Sequence, residues 1–200
     1  MASIEDVVRE EWLQFQLVNN EGGRASCQDD WQQFNIMRTS QFMAWPQEVL
    51  DSYYNDLMEA KASDRNLLFE KYAFMMRETA PDRFEMVKGA LPELSEKKAH
   101  LIECIVEAQV RWAEEFQEKY PNYAKRGRVI RAKDAQKWDT SIETYQRGEL
   151  SSYSEQTVEL YATYVTECLE KGINLAENIR DNMARMYGYE SKEDAERLMS

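Results

Sequence analysis

Apolar residues recur at spacings of three and four along most of the chain, which is the period of an amphipathic α-helix. Strands would show runs of alternating β-branched residues bounded by turns, and the sequence contains no such run. Glycine is scarce, and the four prolines stand where helices are expected to change direction. The pattern therefore predicts an all-α fold, an irregular antiparallel bundle of about seven helices.

Capping residues, glycines and prolines give the expected boundaries of these helices. One helix is predicted over 24–44, between paired glycines and a Trp-Pro step. Another is predicted over 132–147, with Trp138 on its apolar face. The last long helix is expected to begin after Ser154 and to continue past Gly172 with a bend.

A helix predicted over 95–120 has the widest apolar face, so we expect it at the centre of the bundle. A length of 200 residues and an apolar fraction of 43% suit one globular domain over residues 1–200. The last predicted helix lies within 191–200, and we expect this tail helix to pack loosely or to fray.

The formal net charge of −12 repels nucleic-acid backbones at long range, so we expect no binding to nucleic acid. No stretch reaches the roughly 18 uncharged apolar residues that a membrane span needs. The acidic segment 1–12 lacks the basic start and the apolar run of a signal peptide. We therefore expect an acidic, soluble, cytoplasmic protein without a membrane partner, and the pattern leaves its oligomeric state open.

Metal and cofactor sites have sequence patterns that this chain lacks. It has a single histidine, His100, and three cysteines far apart at Cys27, Cys104 and Cys168. Transition-metal sites need clustered ligands of these types. The chain also has no P-loop, no GxGxxG after a strand, no HExxH and no GxSxG. We therefore expect no bound metal and no cofactor.

The first candidate ligand site lies where paired glycines open a predicted helix, because free N–H groups and the helix dipole there suit an anion. Arg38 lies further along, on an otherwise aromatic face, where a buried guanidinium must find carboxylates, carbonyls or a bound anion. The structural alternative is that the glycines only turn the chain and that Arg38 pairs with a glutamate. The candidate ligand-binding residues at the helix start are Asn19, Asn20, Arg24 and Gln28.

A second candidate group begins in the basic loop KRGRVIR. Arg126 and Arg128 are candidates for binding a phosphate or carboxylate, and a solvated connection is the alternative. Glu143 and Arg147 are four residues apart, which is typical of an ion pair on a helix, and Arg147 is otherwise a ligand-binding candidate. In the catalytic hypothesis Glu143 is a general acid or base and Tyr145 donates a hydrogen bond.

Taken together, these residues favour an enzyme or binding protein for a small anionic metabolite, such as an amino acid or a phosphorylated compound. The alternative is a protein–protein interaction module whose aromatic and methionine residues line a groove for a partner. A concave pocket in which both polar groups converge would favour the first hypothesis.

A resemblance to a known family covers most of the chain, from Glu10 to Gly188. The chain resembles an uncharacterised bacterial family, the domain of unknown function 4125. That resemblance implies a bacterial source, and it assigns no reaction and no catalytic residue. The segments that carry it are EEWLQFQLVNNEGGRASCQDDW, IMRTSQFMAWP, DRNLLFEKYAFMM, KRGRVIR and TSIETYQRGELSSYS.

Overall fold

A computed structural model describes residues 1–19, 22–136 and 139–200. Within these ranges the chain forms eleven α-helices and no β-strand, so the predicted all-α class is confirmed and the predicted number of helices is too low. None of the described helices combines the length and the apolar composition needed to cross a membrane. The helices, named α1 to α11 in chain order, are Ile4–Gln16, Trp31–Phe42, Gln47–Ala62, Leu67–Thr79, Pro81–Val87, Glu96–Lys119, Pro121–Ala124, Ile142–Ser152, Glu155–Glu170, Leu175–Met186 and Lys192–Leu198.

The helix predicted over 24–44 begins later than expected, at Trp31. Asp30 is its N-cap residue, and the Asp30 side chain accepts a hydrogen bond from a backbone N–H of the first turn at 2.9 Å. An aspartate in this position satisfies an N–H group that has no partner within the helix, which favours a helix start here. Residues Ser26–Asp29 form a separate 3-10 turn, so Arg24 lies outside α2.

The helix predicted over 132–147 is also too long at its start, because α8 begins at Ile142. The Ser141 hydroxyl caps α8 and accepts a hydrogen bond from a first-turn N–H at 3.0 Å. The N–H of Ile142 donates to the carbonyl of Val129 at 2.8 Å, so an upstream loop completes the helix start. Trp138, which we predicted on the apolar face of this helix, lies outside the described residues.

The last long helix is two separate helices, α9 and α10, and not one helix with a bend. Gly172 has a φ of +65°, a left-handed conformation in which an α-helix cannot continue. Asn174 then caps α10, and its side chain accepts a hydrogen bond from the Glu177 N–H at 2.9 Å. This break lets α10 change direction and pack against α2 and α6.

Two hydrophobic clusters hold the helices together. The larger cluster draws buried side chains from α1, α2, α3, α4, α6, α8, α9 and α10. Helix α6 packs against α8, α9 and α10, which is the central position that its wide apolar face predicts. The smaller cluster joins the end of α6 to α7, α10 and α11 through buried Phe116, Tyr120, Tyr123, Ala184 and Ala195.

Helices α4 and α8 are in backbone contact at Gly148. A Cβ atom on Gly148 would lie 2.4 Å from Cγ of Met75 and 2.9 Å from the carbonyl oxygen of Lys71. Such separations are far below a normal van der Waals contact, so a glycine is required for this packing. The close approach brings Lys71 of α4 beside Tyr145 and Glu149 of α8.

Helix α11 is joined to the end of α6 by two carboxylates. Glu196 accepts hydrogen bonds from the backbone N–H groups of Asn122, at 3.1 Å, and Tyr123, at 2.7 Å. Glu193 accepts one from the Tyr120 hydroxyl at 2.8 Å. The first of these contacts caps the short helix α7, which lies next to the site described below.

Candidate functional site

An open cleft of about 1250 Å³ is bounded by α2, α4, α6, α8, α10 and α11 and by the loop that follows α7. Ligand pockets commonly measure roughly 300–1,000 Å³, so this cleft is large enough for a metabolite. Its wall mixes aromatic and methionine side chains with arginine, lysine and glutamine side chains. The aromatic members include Phe34, Tyr72, Trp112, Phe116, Tyr123 and Tyr145.

Arg38 of α2 lies at the inner wall of the cleft and is 5% exposed. Its Nε donates to Oε2 of Glu11 at 2.7 Å, and its Nη2 donates to Oε1 of Glu11 at 2.6 Å. The same Nη2 donates to Oε1 of Glu149 at 2.9 Å. Arg38 therefore has the carboxylate partners that the structural alternative requires.

Lys71 of α4 extends this ionic network toward α8. Its Nζ donates to Oε2 of Glu149 at 2.6 Å and to the hydroxyl oxygen of Tyr145 at 2.5 Å. The Tyr153 hydroxyl donates to Oε1 of Glu149 at 2.6 Å, so both oxygens of that carboxylate are occupied. The network thus connects buried charges to Tyr145, which lines the cleft.

The ionisation of the network follows from its pairing. Burial opposes the charge of Glu149, but Arg38 and Lys71 outweigh it and hold the pKa of Glu149 well below its usual value. Burial also opposes the charge of Lys71, yet the neighbouring Glu149 raises the pKa of Lys71 above its usual value. Two cations therefore face two carboxylates, Glu11 and Glu149, and the network brings no net charge to the cleft.

The basic loop contributes further guanidinium groups to the cleft wall. The guanidinium carbon of Arg128 lies 5.1 Å from the centroid of the Tyr145 ring, a cation–π contact. Its Nη1 donates to the carbonyl of Thr140 at 3.4 Å. Within the described ranges, neither Arg126 nor Arg128 forms an ion pair with a carboxylate, so their charges are available to a ligand.

Arg180 of α10 adds a third guanidinium at another part of the cleft. Its guanidinium carbon lies 5.9 Å from the ring centroids of both Phe116 and Tyr123. Its Nη2 lies against the backbone of Gly127, only 2.8 Å from where a Cβ would stand. Burial lowers the pKa of Arg180 and Tyr123 partly offsets that effect, while no described residue supplies a carboxylate partner.

The cleft is therefore positive in a chain whose formal net charge is −12. Arg126, Arg128 and Arg180 carry charges that no described carboxylate pairs. Among the described residues of the cleft wall, Asp30 is the one acidic side chain, and it also caps α2. A cavity with one sign of charge and low-dielectric aromatic walls concentrates ions of the opposite sign.

The described residues of the group predicted around the first helix start, Asn19, Arg24 and Gln28, lie outside the cleft wall. The Arg24 side chain donates to Asp29 at 2.8 Å and is about half exposed. Gln28 is buried, and its Nε2 donates to the carbonyl of Phe15 at 2.8 Å. Asn19 is exposed, and its predicted neighbour Asn20 lies outside the described residues. Arg24 also donates to the Gln16 side chain, so Arg24 and Gln28 hold the end of α1 in place.

The predicted residues of α8 separate in the structure. Tyr145 lines the cleft, whereas Glu143 and Arg147 do not. Arg147 binds Glu103 at 2.8 Å and Glu143 at 3.1 Å. Burial alone would raise the pKa of Glu143. The hydrogen bonds from the Ala132 N–H and from Arg147 lower it by more, so the pKa of Glu143 is below its usual value. The pair expected from the four-residue spacing is thus present.

The cleft brings together Arg38, Arg126, Arg128 and Tyr145 from the sequence-based candidates. It adds Lys71 and Arg180, which the sequence analysis missed. A lysine within the apolar segment LLFEKYAFMM was a usable signal for a buried charge. Arg180 stands in an ordinary polar helix sequence and gave no such signal.

Metal-ligating side chains are scattered over the described ranges, where no three of histidine, cysteine, aspartate or glutamate are placed to hold an ion. The sulfur of Cys104 lies 3.7 Å from Nε2 of His100 on the exposed face of α6. The third cysteine of the chain, Cys168, is buried in the main core.

Comparison with known proteins identifies the family of the chain. No curated protein and no solved structure matches it. A family model described as protein of unknown function (DUF4125) matches residues 1–197. The match covers nearly the whole chain, so the resemblance read from the sequence is confirmed. The chain belongs to the DUF4125 family.

Proposed function

We propose that the protein binds a small anionic metabolite in the cleft. The observation that carries this proposal is that the guanidinium groups of Arg126, Arg128 and Arg180 line one cavity without carboxylate partners in the described ranges. Guanidinium groups are suited to this task because their planar N–H groups match carboxylate and phosphate oxygens.

The aromatic wall supports a ligand that also has an apolar or planar body. Arginine side chains stacked on Tyr145, Phe116 and Tyr123 lose less freedom when they bind than free side chains do. Low-polarity surroundings also strengthen each charge–charge interaction within the cleft. An anion with a ring or a short apolar chain therefore fits this wall better than a small hydrated ion.

If the ligand is also a substrate, we assign proton transfer in the cleft to the hydroxyl group of Tyr145. Its hydroxyl oxygen already accepts a hydrogen bond from Lys71, and no described residue accepts the hydroxyl proton. Glu143 is the weaker candidate, because its carboxylate binds Arg147 and the Ala132 N–H away from the cleft wall. Arg38 and Lys71 have a structural role at the wall, because both bind buried carboxylates of neighbouring helices.

The proposal is tested by anion binding to wild type and to Arg180→Met. Arg185→Met is the matched control, because Arg185 is on the same helix, pairs with Asp181 and lies outside the cleft wall. Thermal melts and titration calorimetry at low salt would use inorganic phosphate, phenyl phosphate and benzoate. An anion that binds the folded state stabilises it by RT times the natural logarithm of one plus the ratio of free anion concentration to Kd, and therefore raises the melting temperature.

We expect at least one of these anions to stabilise wild type and Arg185→Met, and to bind Arg180→Met at least tenfold more weakly. That difference corresponds to about 1.4 kcal/mol of binding free energy. Equal binding to all three proteins would place the anion elsewhere. Absence of binding to wild type by every anion tested, here and with the dicarboxylates below, would overturn the proposal.

A second candidate function is a groove for a protein partner. The observation in its favour is that methionine and other flexible apolar side chains form part of the wall, as in surfaces that accommodate several partners. An amphipathic peptide carrying acidic residues would then compete with phenyl phosphate. The residues concerned are Met37, Met183, Tyr187, Leu198 and Met199.

Several broader expectations stay predictions. The net charge of −12 supports a protein that does not bind nucleic acid, and a cytoplasmic location stays a prediction. The family resemblance supports a bacterial source. A single domain over 1–200 with a loosely packed tail, and the ligand roles of Asn19, Arg24, Gln28 and Arg147, also stay predictions.

A further inference from the structure

We propose that the ligand has two separate anionic groups, one bound by Arg180 and the other by Arg128 together with the Tyr145 hydroxyl. The inference rests on the proposed function, because it names the class of anion that the same cleft takes. The class includes dicarboxylates and carboxylates that also carry a phosphate.

The Arg180 end of the cleft is built to hold a charge in a fixed place. The guanidinium carbon lies 5.9 Å from the ring centroids of Phe116 of α6 and Tyr123 of α7, two rings that also contact each other. The backbone of Gly127 covers it closely, and the Tyr123 hydroxyl donates to the carbonyl of Arg180 at 3.0 Å. These contacts orient the side chain without neutralising it, which leaves its N–H groups for a ligand oxygen.

The Arg128 end is built on a different ring and a different helix. Arg128 stacks on Tyr145 of α8, with 5.1 Å between the guanidinium carbon and the ring centroid. Lys71 lies beneath the same ring, 3.8 Å from its centroid, and donates to its hydroxyl oxygen. The hydroxyl proton is accepted by no described residue, so this end offers one O–H donor beside a guanidinium.

The charges of the cleft wall also favour a ligand with more than one negative group. The buried cations Arg38 and Lys71 are matched by Glu11 and Glu149. The remaining charged side chains among the described residues of the wall are three guanidinium groups and one carboxylate, Asp30. A ligand with two negative charges therefore matches the net charge of the wall. Arg180 is the partly buried member of the three, whereas Arg126 and Arg128 are exposed to solvent.

The experiment compares linear dicarboxylates of increasing length, from malonate to suberate, with monocarboxylates of the same chain length. Titration calorimetry is performed on wild type, Arg128→Met, Arg180→Met and the control Lys125→Met. Lys125 is exposed in the same loop and does not line the cleft. Melting curves confirm that each variant is folded, and the glutamine substitutions R128Q and R180Q replace any variant that is not.

We expect dicarboxylate affinity to peak at one chain length and to exceed the matched monocarboxylate by at least tenfold, because the second group binds intramolecularly. Removing either arginine should reduce the affinity for the best dicarboxylate to the affinity for the monocarboxylate of the same length. The Lys125→Met variant should bind as wild type does. A Tyr145→Phe variant should bind the best dicarboxylate several-fold more weakly than wild type.

Two results would overturn the inference while leaving the anion cleft in place. One is that phosphate or monocarboxylates bind but no dicarboxylate exceeds them. The other is that only one of the two arginine substitutions affects the best dicarboxylate. If no anion of either panel binds wild type, the proposed function fails and the inference fails with it.

Discussion

The ammonium group of Lys71 on α4 lies 2.5 Å from the hydroxyl oxygen of Tyr145 on α8. Lys71 is 3% exposed and also binds Glu149, so one buried cation links a structural carboxylate to the wall of the cleft. Through Lys71, the buried ionic network is in direct contact with the candidate site. Changes to the buried network should therefore affect both stability and the cleft.

Lys71→Met should lower the free energy of unfolding by about 3–5 kcal/mol, because breaking a buried ion pair leaves Glu149 with less compensation. The double variant Lys71→Met/Glu149→Gln removes that excess charge and leaves Arg38 paired with Glu11. We expect the double variant to recover more than about 1 kcal/mol relative to the single one. Urea denaturation of the three proteins measures this. A single variant as stable as wild type would contradict the structural role of Lys71.

Acid should destabilise the protein partly through Glu149, whose pKa in the folded state is held below its usual value. Its contribution is fully present above the unfolded carboxyl pKa of about 4.3, and it is lost as the pH falls toward the lower folded pKa. Glu149→Gln should therefore be less stable at pH 7, and its stability should fall less steeply below about pH 5.

Urea melts between neutral pH and about pH 3 test that expectation. Glu118→Gln is the control, because Glu118 is exposed on α6. The control should follow the wild-type pH profile. A Glu149→Gln profile parallel to wild type across the acid range would show that this carboxylate does not govern the acid transition.

Gly148→Ala should destabilise the protein by about 1–3 kcal/mol, the usual cost of overpacking. The new Cβ would lie 2.4 Å from Met75 Cγ and 2.9 Å from the Lys71 carbonyl oxygen, and the second of these contacts is with the backbone. Gly89→Ala is the matched control, since nothing lies within 4 Å of a Cβ there. Thermal unfolding should separate the two variants by several degrees. Equal melting temperatures would contradict the close α4–α8 packing.

Glu196→Gln should weaken the attachment of α11. The carboxylate accepts from two backbone N–H groups of α7, at 3.1 and 2.7 Å, and loss of a helix cap typically costs about 0.5–2 kcal/mol. Hydrogen exchange of amides in 192–198 should accelerate, while exchange in α6 stays unchanged. Glu190→Gln, at an exposed position just before α11, is the control. Unchanged exchange in Glu196→Gln would show that this carboxylate does not attach α11, and would leave the Glu193–Tyr120 hydrogen bond and the apolar contacts to hold it.

The helical class was predictable because the three-and-four spacing persists along the chain, and no competing alternation appears. Helix starts were less predictable, since they depended on single side chains. Asp30 and Ser141 cap α2 and α8, and each shortens a helix that apolar spacing alone extends further. Apolar spacing indicates which face of a helix is buried, but the capping residue determines where the helix begins.

The candidate site was predictable only in part. Arg38 was recognised because a charge among aromatic residues stands out, but its partners Glu11 and Glu149 are distant in sequence. Arg126 and Arg128 stood out as a basic loop in an acidic chain. Arg180 could not be found in this way, because an arginine on an amphipathic helix becomes unusual only when the structure leaves it without a carboxylate.

Glu196 caps the short helix that contains Tyr123, and Tyr123 in turn stacks on Arg180 and binds its carbonyl. A continuous series of contacts therefore connects the last helix to the cleft, although only Leu198 of that helix lines it. Linkage is reciprocal: an anion that binds more tightly when Tyr123 is held must also hold the last helix more firmly, by the same factor. An anion bound in the cleft should therefore slow amide hydrogen exchange near the carboxyl end of the chain.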